Sequence, residues 1–538
     1  WLPVSRKLSE LGIDGFRRRT EMVKRIVQEN GITYNAYGDS ISSRRPWVMD
    51  PLPMIVSHAE WSAIERGVSQ RVRLLNSILA DIYGPQKLVR SGQLPPSLIH
   101  GNPHFLRPCH GFQPPGGVFV HIYAADLARS RDGSWRIIAD RVDVPSGIGY
   151  AVENRFITQQ VMPDIFREAE PVRLKPFFQR MLESFETLVQ RRTEEPCIVM
   201  LSPGPSFETY FEQAFFARNL GYPLVEGADL TTRDNRVFMK TVGGLRQVDV
   251  IIRNVPGTES DPLELDSASR LGVPGLVEAA RMGNVVIANS LGAGVTETPA
   301  MPAFLGGLCR HMFGEDILIP SAETLWCGNP QSLARVMADL PKYVVKPVFR
   351  SRSGEAIFGP LLSNGELDRL RRMIAAEPSM YAAQDLVNDS TIPALSADGV
   401  AEPRHSVMRV FLVAGKDGYE MMPGALTRVT EDCESFSVSM ADGGASKDTW
   451  MIAPTDAPQK DHALPHTGPV KIRRSTAELT SREADNLFWM GRYMERTDYQ
   501  TRLLRVLASE TRECSGSIVP EHIVPFINTA LGLPPDGP

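Results

Sequence analysis

From about residue 196 to about residue 330 the chain alternates short apolar runs with amphipathic stretches, and no other feature constrains the fold as much. Cys197-Ile-Val-Met-Leu reads as a buried strand and Phe207 to Leu220 as an amphipathic helix. Pro223-Leu-Val-Glu and Val248-Asp-Val-Ile-Ile-Arg read as two further strands. Strands separated by helices pair through crossovers, so this rhythm predicts a mainly parallel, doubly wound sheet. Such sheets take ligands at the carboxyl ends of their strands, which makes Arg253 a candidate for holding a substrate carboxylate; a surface salt bridge is the competing reading.

The flanking regions have a different texture. A chain of 538 residues is too long for one core and implies roughly two to four domains. Residues 1–30 form an N-terminal helical segment, with Glu21 and Arg25 spaced as an i,i+4 pair. Residues 31–190 mix elements. Within them Ser57 is a candidate N-cap, with Glu60 three residues on, and Gly84-Pro85 stops the helix it starts. Val118-Phe-Val-His-Ile-Tyr and Trp135-Arg-Ile-Ile-Ala-Asp read as strands around an Arg131–Ser134 turn. Residues 191–330 are the α/β unit, 331–455 return to many short strands, and 456–475 form a linker. Residues 476–538 open with a long helix carrying Ala484, Leu487, Phe488, Gly491 and Met494 on one stripe.

Bulk properties exclude several classes. A net charge of -5 leaves no electrostatic footprint for nucleic acid or an anionic membrane. No apolar run approaches the ~20 residues that span a bilayer, and the start, Trp1-Leu-Pro-Val, is not a secretory signal. The six cysteines are scattered without metal-ligand spacing, as expected of reduced thiols in a cytoplasmic protein.

Four segments carry candidate chemistry. Lys342-Tyr-Val-Val-Lys-Pro-Val is a β-branched strand with Lys346 near its end, followed by the small-residue loop Ser351–Gly359. A lysine beside free backbone N–H groups suits a polyphosphate, although a solvated surface charge is the plainer reading. Tyr381-Ala-Ala-Gln-Asp-Leu offers either an extended backbone to the edge of an adenine or an ordinary buried strand start. In Arg404–Val413, Arg409 sits among apolar residues and must find an anionic partner, either a structural carboxylate or a ligand phosphate. Gly443 and Gly444, with Lys447 close behind, form either an anion-binding loop or a plain turn. His100, His104, Cys109 and His110 compete weakly for a metal-dependent hydrolase reading, because their spacing is irregular for zinc.

Taken in order, Gln70-Arg-Val-Arg-Leu-Leu-Asn, Pro145-Ser-Gly, Glu153-Asn-Arg, Leu201-Ser-Pro-Gly-Pro, Val345-Lys-Pro, Leu426-Thr-Arg-Val and Ser446-Lys-Asp-Thr-Trp resemble the circularly permuted ATP-grasp proteins of type 2. That group is similar to glutathione synthetase and glutathionylspermidine synthase. Ser481-Arg-Glu-Ala-Asp-Asn-Leu-Phe-Trp-Met-Gly-Arg-Tyr-Met-Glu-Arg resembles the opening of a fused alpha-E helical domain. The resemblance implies an α/β (α+β) chain: an ATP-grasp fold, a parallel-sheet substrate domain and a C-terminal helical segment. It implies ATP and Mg²⁺ between two lobes, with carboxylate–amine ligation through an acyl phosphate. Lys346, Ser353, Gly354, the Gln384–Asp385–Leu386 backbone, Gly443 and Gly444 would then hold the nucleotide. Arg409, Arg428 and Lys447 would serve the transferred phosphate, Arg253 and Ser146 a small-molecule or peptide substrate, and Asp140 the metal. Alpha-E or transglutaminase-like proteins would be its partners.

Two departures stand out against that pattern. Where Glu-Asp-Asn is usual before the Pro-Ser-Gly turn, this chain has Ala139-Asp140-Arg141, and where an acidic pair is usual after Val-Lys-Pro it has Phe349-Arg350. Magnesium needs oxygen ligands. Either Asp140 and Asp143 supply them, or an arginine replaces the metal's charge without its geometry. Otherwise the chain is a catalytically impaired scaffold that binds nucleotide, or a partner protein through its alpha-E helix.

Overall fold

Strand pairing divides the chain into sheets whose characters match the texture of the sequence. The computed structural model describes residues 2–35, 44–190, 196–349, 356–387, 390–396, 398–453 and 479–513. Two compact units emerge: Trp1–Phe238 with Arg246–Ser475, and Met239–Leu245 with Thr476–Pro538.

The first unit contains the expected parallel sheet, ordered Val286–Ala288, Val250–Arg253, Ile198–Leu201 and Leu224–Val225, with every pairing parallel. Its strands are almost wholly buried, which is why they read as continuous apolar runs. A second sheet runs Met54–Ser57, Ala445–Ile452, Leu426–Val429, Ala401–Gly415, Ile122–Arg129 and Trp135–Arg141. It is antiparallel except where Met54–Ser57 joins Ala445–Ile452. A third sheet, ordered Thr324–Trp326, Tyr381–Asp385, Tyr343–Pro347 and Ile357–Phe358, is antiparallel and packs on the helices Pro330–Ala338 and Asn364–Ala376.

The six-strand path of the second sheet positions the candidate site, because its two faces are covered by different helices. His58–Ile82 lies against one face, started as expected by Ser57, whose Oγ accepts the Glu60 N–H at 3.3 Å. This helix carries the buried Arg71 to Asp140. Ile148–Val161 lies against the opposite face, where Arg155 reaches Asp448. The hairpin Ile122–Arg129 and Trp135–Arg141 forms around the expected turn, but its first strand begins at Ile122 rather than Val118. Residues 118–121 lie outside it, their polar backbone engaged elsewhere: the Phe119 N–H donates to Asn76 Oδ1 and the His121 N–H to Asn289 Oδ1.

The second unit contains the long helix Ser481–Glu513. Thr480 and Glu483 cap its start reciprocally, side chain to backbone, at 3.2 and 3.3 Å. Leu487, Phe488, Trp489, Met490, Tyr493 and Met494 are all exposed, so the apolar residues run beyond the single expected stripe. Among the described residues no helix is long and apolar enough to cross a membrane.

Candidate functional site

The strand Ala401–Gly415 lies beside Ile122–Arg129, and their register sets Arg409 directly against Asp126. The guanidinium grips the carboxylate with two hydrogen bonds, Nε to Oδ1 at 2.7 Å and Nη2 to Oδ2 at 2.8 Å. Alternation along each strand then decides what else shares that face. Arg428 comes from the strand on one side and reaches Asp126 at 3.2 Å; Arg141 comes from the other side and reaches it at 3.4 Å. Ala139 is the residue paired with Asp126. Three guanidiniums therefore converge on one buried carboxylate. Burial alone raises the Asp126 carboxyl, but Arg409 and Arg428 overcome that and hold it well below the carboxylate range. Arg428 is pulled down to about 10, first by burial and then by Arg409.

The first turn of Ile148–Val161 completes this corner. Arg409 Nη1 donates to the Ser146 carbonyl at 3.0 Å. Gly147 adopts a φ of +115°, and a Cβ there would lie 3.0 Å from Leu426 and 3.1 Å from Phe411, so only glycine fits. Its N–H and that of Gly149 donate to the buried Glu212 carboxylate at 2.6 and 3.0 Å. Burial pushes Glu212 up to about 7 in spite of those donors and Arg409.

Lys346 occupies the third sheet, where its Nζ donates to Gln384 Oε1 at 2.6 Å and Gln384 Nε2 donates to Thr324 Oγ1 at 3.1 Å. Asp385 faces Lys342 at 3.5 Å, and Leu386 follows just past the strand end. Two adjacent residues fasten this sheet to the arginine corner. The Glu297 carboxylate accepts the N–H groups of Val142 and Asp143, immediately after Arg141, and Thr298 Oγ1 donates to the Val348 carbonyl at 2.9 Å, immediately after the Lys346 strand. Phe436 adds a second link by stacking on Phe358 and His405, whose strand also bears Arg409. Glu297, Thr298 and Phe436 thus tie the strands that bear Lys346 and Gln384 to those that bear Arg409 and Arg141.

Other residues singled out in the sequence are not brought there. Lys447 lies on the face opposite Arg409, 1% exposed, with its Nζ 2.6 Å from Asp50. Arg253 is buried and spends its donors on Asp143, at 2.7 Å, and on the carbonyls of Val255 and Asn289. Asp140 also faces the opposite side, held by Arg71 through two bonds of 2.7 Å and by the Tyr123 hydroxyl at 2.6 Å. Gly443 and Gly444 sit in a turn beside the Glu431 carboxylate, an anionic neighbour for a proposed anion loop. Ser353 and Gly354 lie outside the described residues. His100 packs edge-on against Phe105, and among the described residues no group of three or more His, Cys, Asp or Glu could hold a metal ion.

The donor set does not suit Mg²⁺. Asp140 and Asp143 are consumed by Arg71 and Arg253, and what meets Asp126 itself is the Ala139 methyl group across the strand pair and the guanidiniums of Arg409, Arg428 and Arg141. A hard cation needs several oxygens; here Asp126 is neutralised by guanidiniums, and the nearby Glu212 and Glu297 carboxylates already accept backbone N–H groups.

Sequence reasoning passed over Asp126, Glu212 and Glu297. Asp126 had a usable signal: a lone carboxylate inside Ala-Ala-Asp-Leu-Ala makes the same demand for a partner as Arg409 does. Glu212 and Glu297 had none, since both act by accepting backbone N–H groups far away in the chain.

Comparison with known proteins agrees with this architecture. Residues 53–430 match the circularly permuted ATP-grasp type 2 family. Residues 479–531 match Alpha-E, a predicted alpha-helical domain with a conserved ER motif, and Glu495-Arg496 falls inside that range. An uncharacterized protein of Mycobacterium tuberculosis is 36% identical over 521 residues, covering 94% of this chain and 58% of its own length. The chain therefore spans little more than half of that relative. An uncharacterized protein of Synechocystis is 34% identical over 445 residues, 83% of this chain and 92% of that one. A solved glutathione synthetase-like effector from Globodera pallida, in apo form, superposes with a TM-score of 0.51 at 11% identity, covering 81% of this chain and 96% of its own, a likeness of fold alone. With the match extending over most of its length, this chain belongs to the circularly permuted ATP-grasp type 2 family.

Proposed function

We propose that this chain is a nucleotide-binding scaffold of the ATP-grasp kind in which acyl-phosphate ligation of a carboxylate to an amine is not sustained. The observation that carries this reading is the pairing of Asp126 with Ala139 while Arg409 holds the carboxylate by two hydrogen bonds. Phosphoryl transfer is mostly positioning and neutralisation of oxygens, and metal ions do much of that work in its usual form. Here the equivalent charge is fixed in side chains, which bind and orient but leave no coordination positions for a transferring group.

Lys346 and the Gln384–Leu386 backbone are the residues this reading assigns to the nucleotide, Lys346 as a point charge on phosphate oxygens. The exposed aromatic residues of Ser481–Glu513 are its protein-binding element, and the cytoplasm its location. Calorimetric titration with ATP, run beside an assay for ADP release with mixed amines and carboxylates, tests the proposal. Binding without ADP release above background supports it. Steady ADP release that depends on an amine and a carboxylate would return the chain to the ligases.

A further inference from the structure

The arginines around Asp126 outnumber the charge they contact. Among the described residues the side chains of Arg428 and Arg141 each make one hydrogen bond, to Asp126, and the Nε of each is buried with no partner. A guanidinium has five N–H donors, and an unsatisfied buried donor is costly. Both side chains nonetheless remain reachable, 19% exposed for Arg428 and 24% for Arg141, whereas Arg409 is 10% exposed and fully committed to Asp126 and Ser146.

The other charged groups near this corner are occupied. Glu212 is bound by the Gly147 and Gly149 amides, Glu297 by those of Val142 and Asp143, and Glu208 is near Tyr34, which itself senses Arg428 and Arg409. None of these carboxylates hydrogen-bonds Arg428 or Arg141 in the described residues. Asp126 holds the two in place as an internal counter-ion.

We infer that Arg141 and Arg428 form a metal-independent oxyanion site, with Asp126 as the built-in counter-ion and phosphate oxygens as the ligand. Two partly exposed guanidinium forks beside one carboxylate leave a positive surplus and planar donors, which fit a phosphate rather than a cation. The inference deepens the nucleotide reading, since a polyphosphate tail is one source of that ligand and free polyphosphate another. It also reverses the expected role of the metal: Mg²⁺ complexed to the phosphates competes for oxygens that the arginines bind.

Calorimetric titration of the whole chain with tripolyphosphate, once in EDTA and once in excess Mg²⁺, tests this. The expected result is binding in EDTA that weakens when Mg²⁺ is added. Arg141→Asn and Arg428→Gln should each weaken it about tenfold or more, the loss of a charge-assisted hydrogen bond. Arg141→Asn is the safer variant for folding because Arg141 is the more exposed, and the thermal midpoint of each variant verifies its fold. Binding that requires Mg²⁺, binding indifferent to Arg141→Asn in folded protein, or no tripolyphosphate binding would overturn the inference. ATP serves as the second arm. Tripolyphosphate binding without ATP binding would sink the nucleotide reading and leave the oxyanion site standing, whereas ATP binding only with Mg²⁺ would do the reverse.

Discussion

Ala139 lies directly across the strand pair from Asp126, so the carboxylate that would need a second oxygen donor faces a methyl group. Two residues on, Arg141 turns its guanidinium to the same carboxylate at 3.4 Å. The pair Ala139→Glu with Arg141→Asn reverses both changes. The double variant should gain a divalent-ion site, seen as Mn²⁺ binding by electron paramagnetic resonance that the parent chain lacks. Equal Mn²⁺ binding by parent and variant would show that the metal sits elsewhere.

Asp126→Asn removes the one carboxylate that Arg409, Arg428 and Arg141 pair with among the described residues. Leaving a buried charge uncompensated costs about 3–5 kcal/mol, whereas replacing the whole pair with apolar side chains is often neutral. The single variant should therefore unfold at clearly lower denaturant than Asp126→Leu combined with Arg409→Met. Similar midpoints for the two would mean the pair adds little to stability.

Lys447→Met probes the opposite face. It leaves Asp50 without its cation, although the N–H groups of Leu52 and Leu395 still donate to that carboxylate at 2.8 and 2.9 Å. Stability should fall by a few kcal/mol, on the order expected for breaking a buried pair. ATP affinity of the folded protein should stay unchanged, because the side chain is sealed away from Arg409. An affinity loss with normal stability would assign Lys447 to the ligand after all.

Glu212 gives a pH signature. Its folded value is raised by burial from 4.5 to about 7, so between those values the folded state keeps a proton that the unfolded chain releases. Stability must then fall as pH rises through that window, by something on the order of 3 kcal/mol. Glu212→Gln should flatten this slope while its amide oxygen continues to accept from Gly147 and Gly149. Urea midpoints of the two proteins between pH 4 and 8 check it, and parallel curves would contradict it. Asp126 acts with the opposite sign: its folded value is depressed, so its contribution is present above the ordinary carboxylate value and is lost as pH falls below it.

The parallel sheet was legible in the sequence because Ile198–Leu201 and Val250–Arg253 are buried on both faces, and burial writes itself as an unbroken apolar run. The Ser57 cap was legible because its chemistry is local. The grouping of site residues was not. Arg428 and Lys447 belong to adjacent strands, and Lys447 pairs with Thr427, not with Arg428. That one-residue difference in register sends the lysine to Asp50 and the arginine to Asp126, and no local pattern reveals it. The partner of Arg253 was hidden for a related reason. Its position at a strand's carboxyl end is as expected, but Asp143 arrives from 110 residues away to claim it.

Asp140 stands next to Arg141 and points the other way, into Arg71 and Tyr123. An acidic neighbour one step along an extended chain is no reserve: it cannot be recruited without tearing out the partners that hold the helix beneath it. Restoring an oxygen donor beside Asp126 therefore demands substitution at position 139 or 141 itself. For anyone redesigning this corner, parity matters more than proximity.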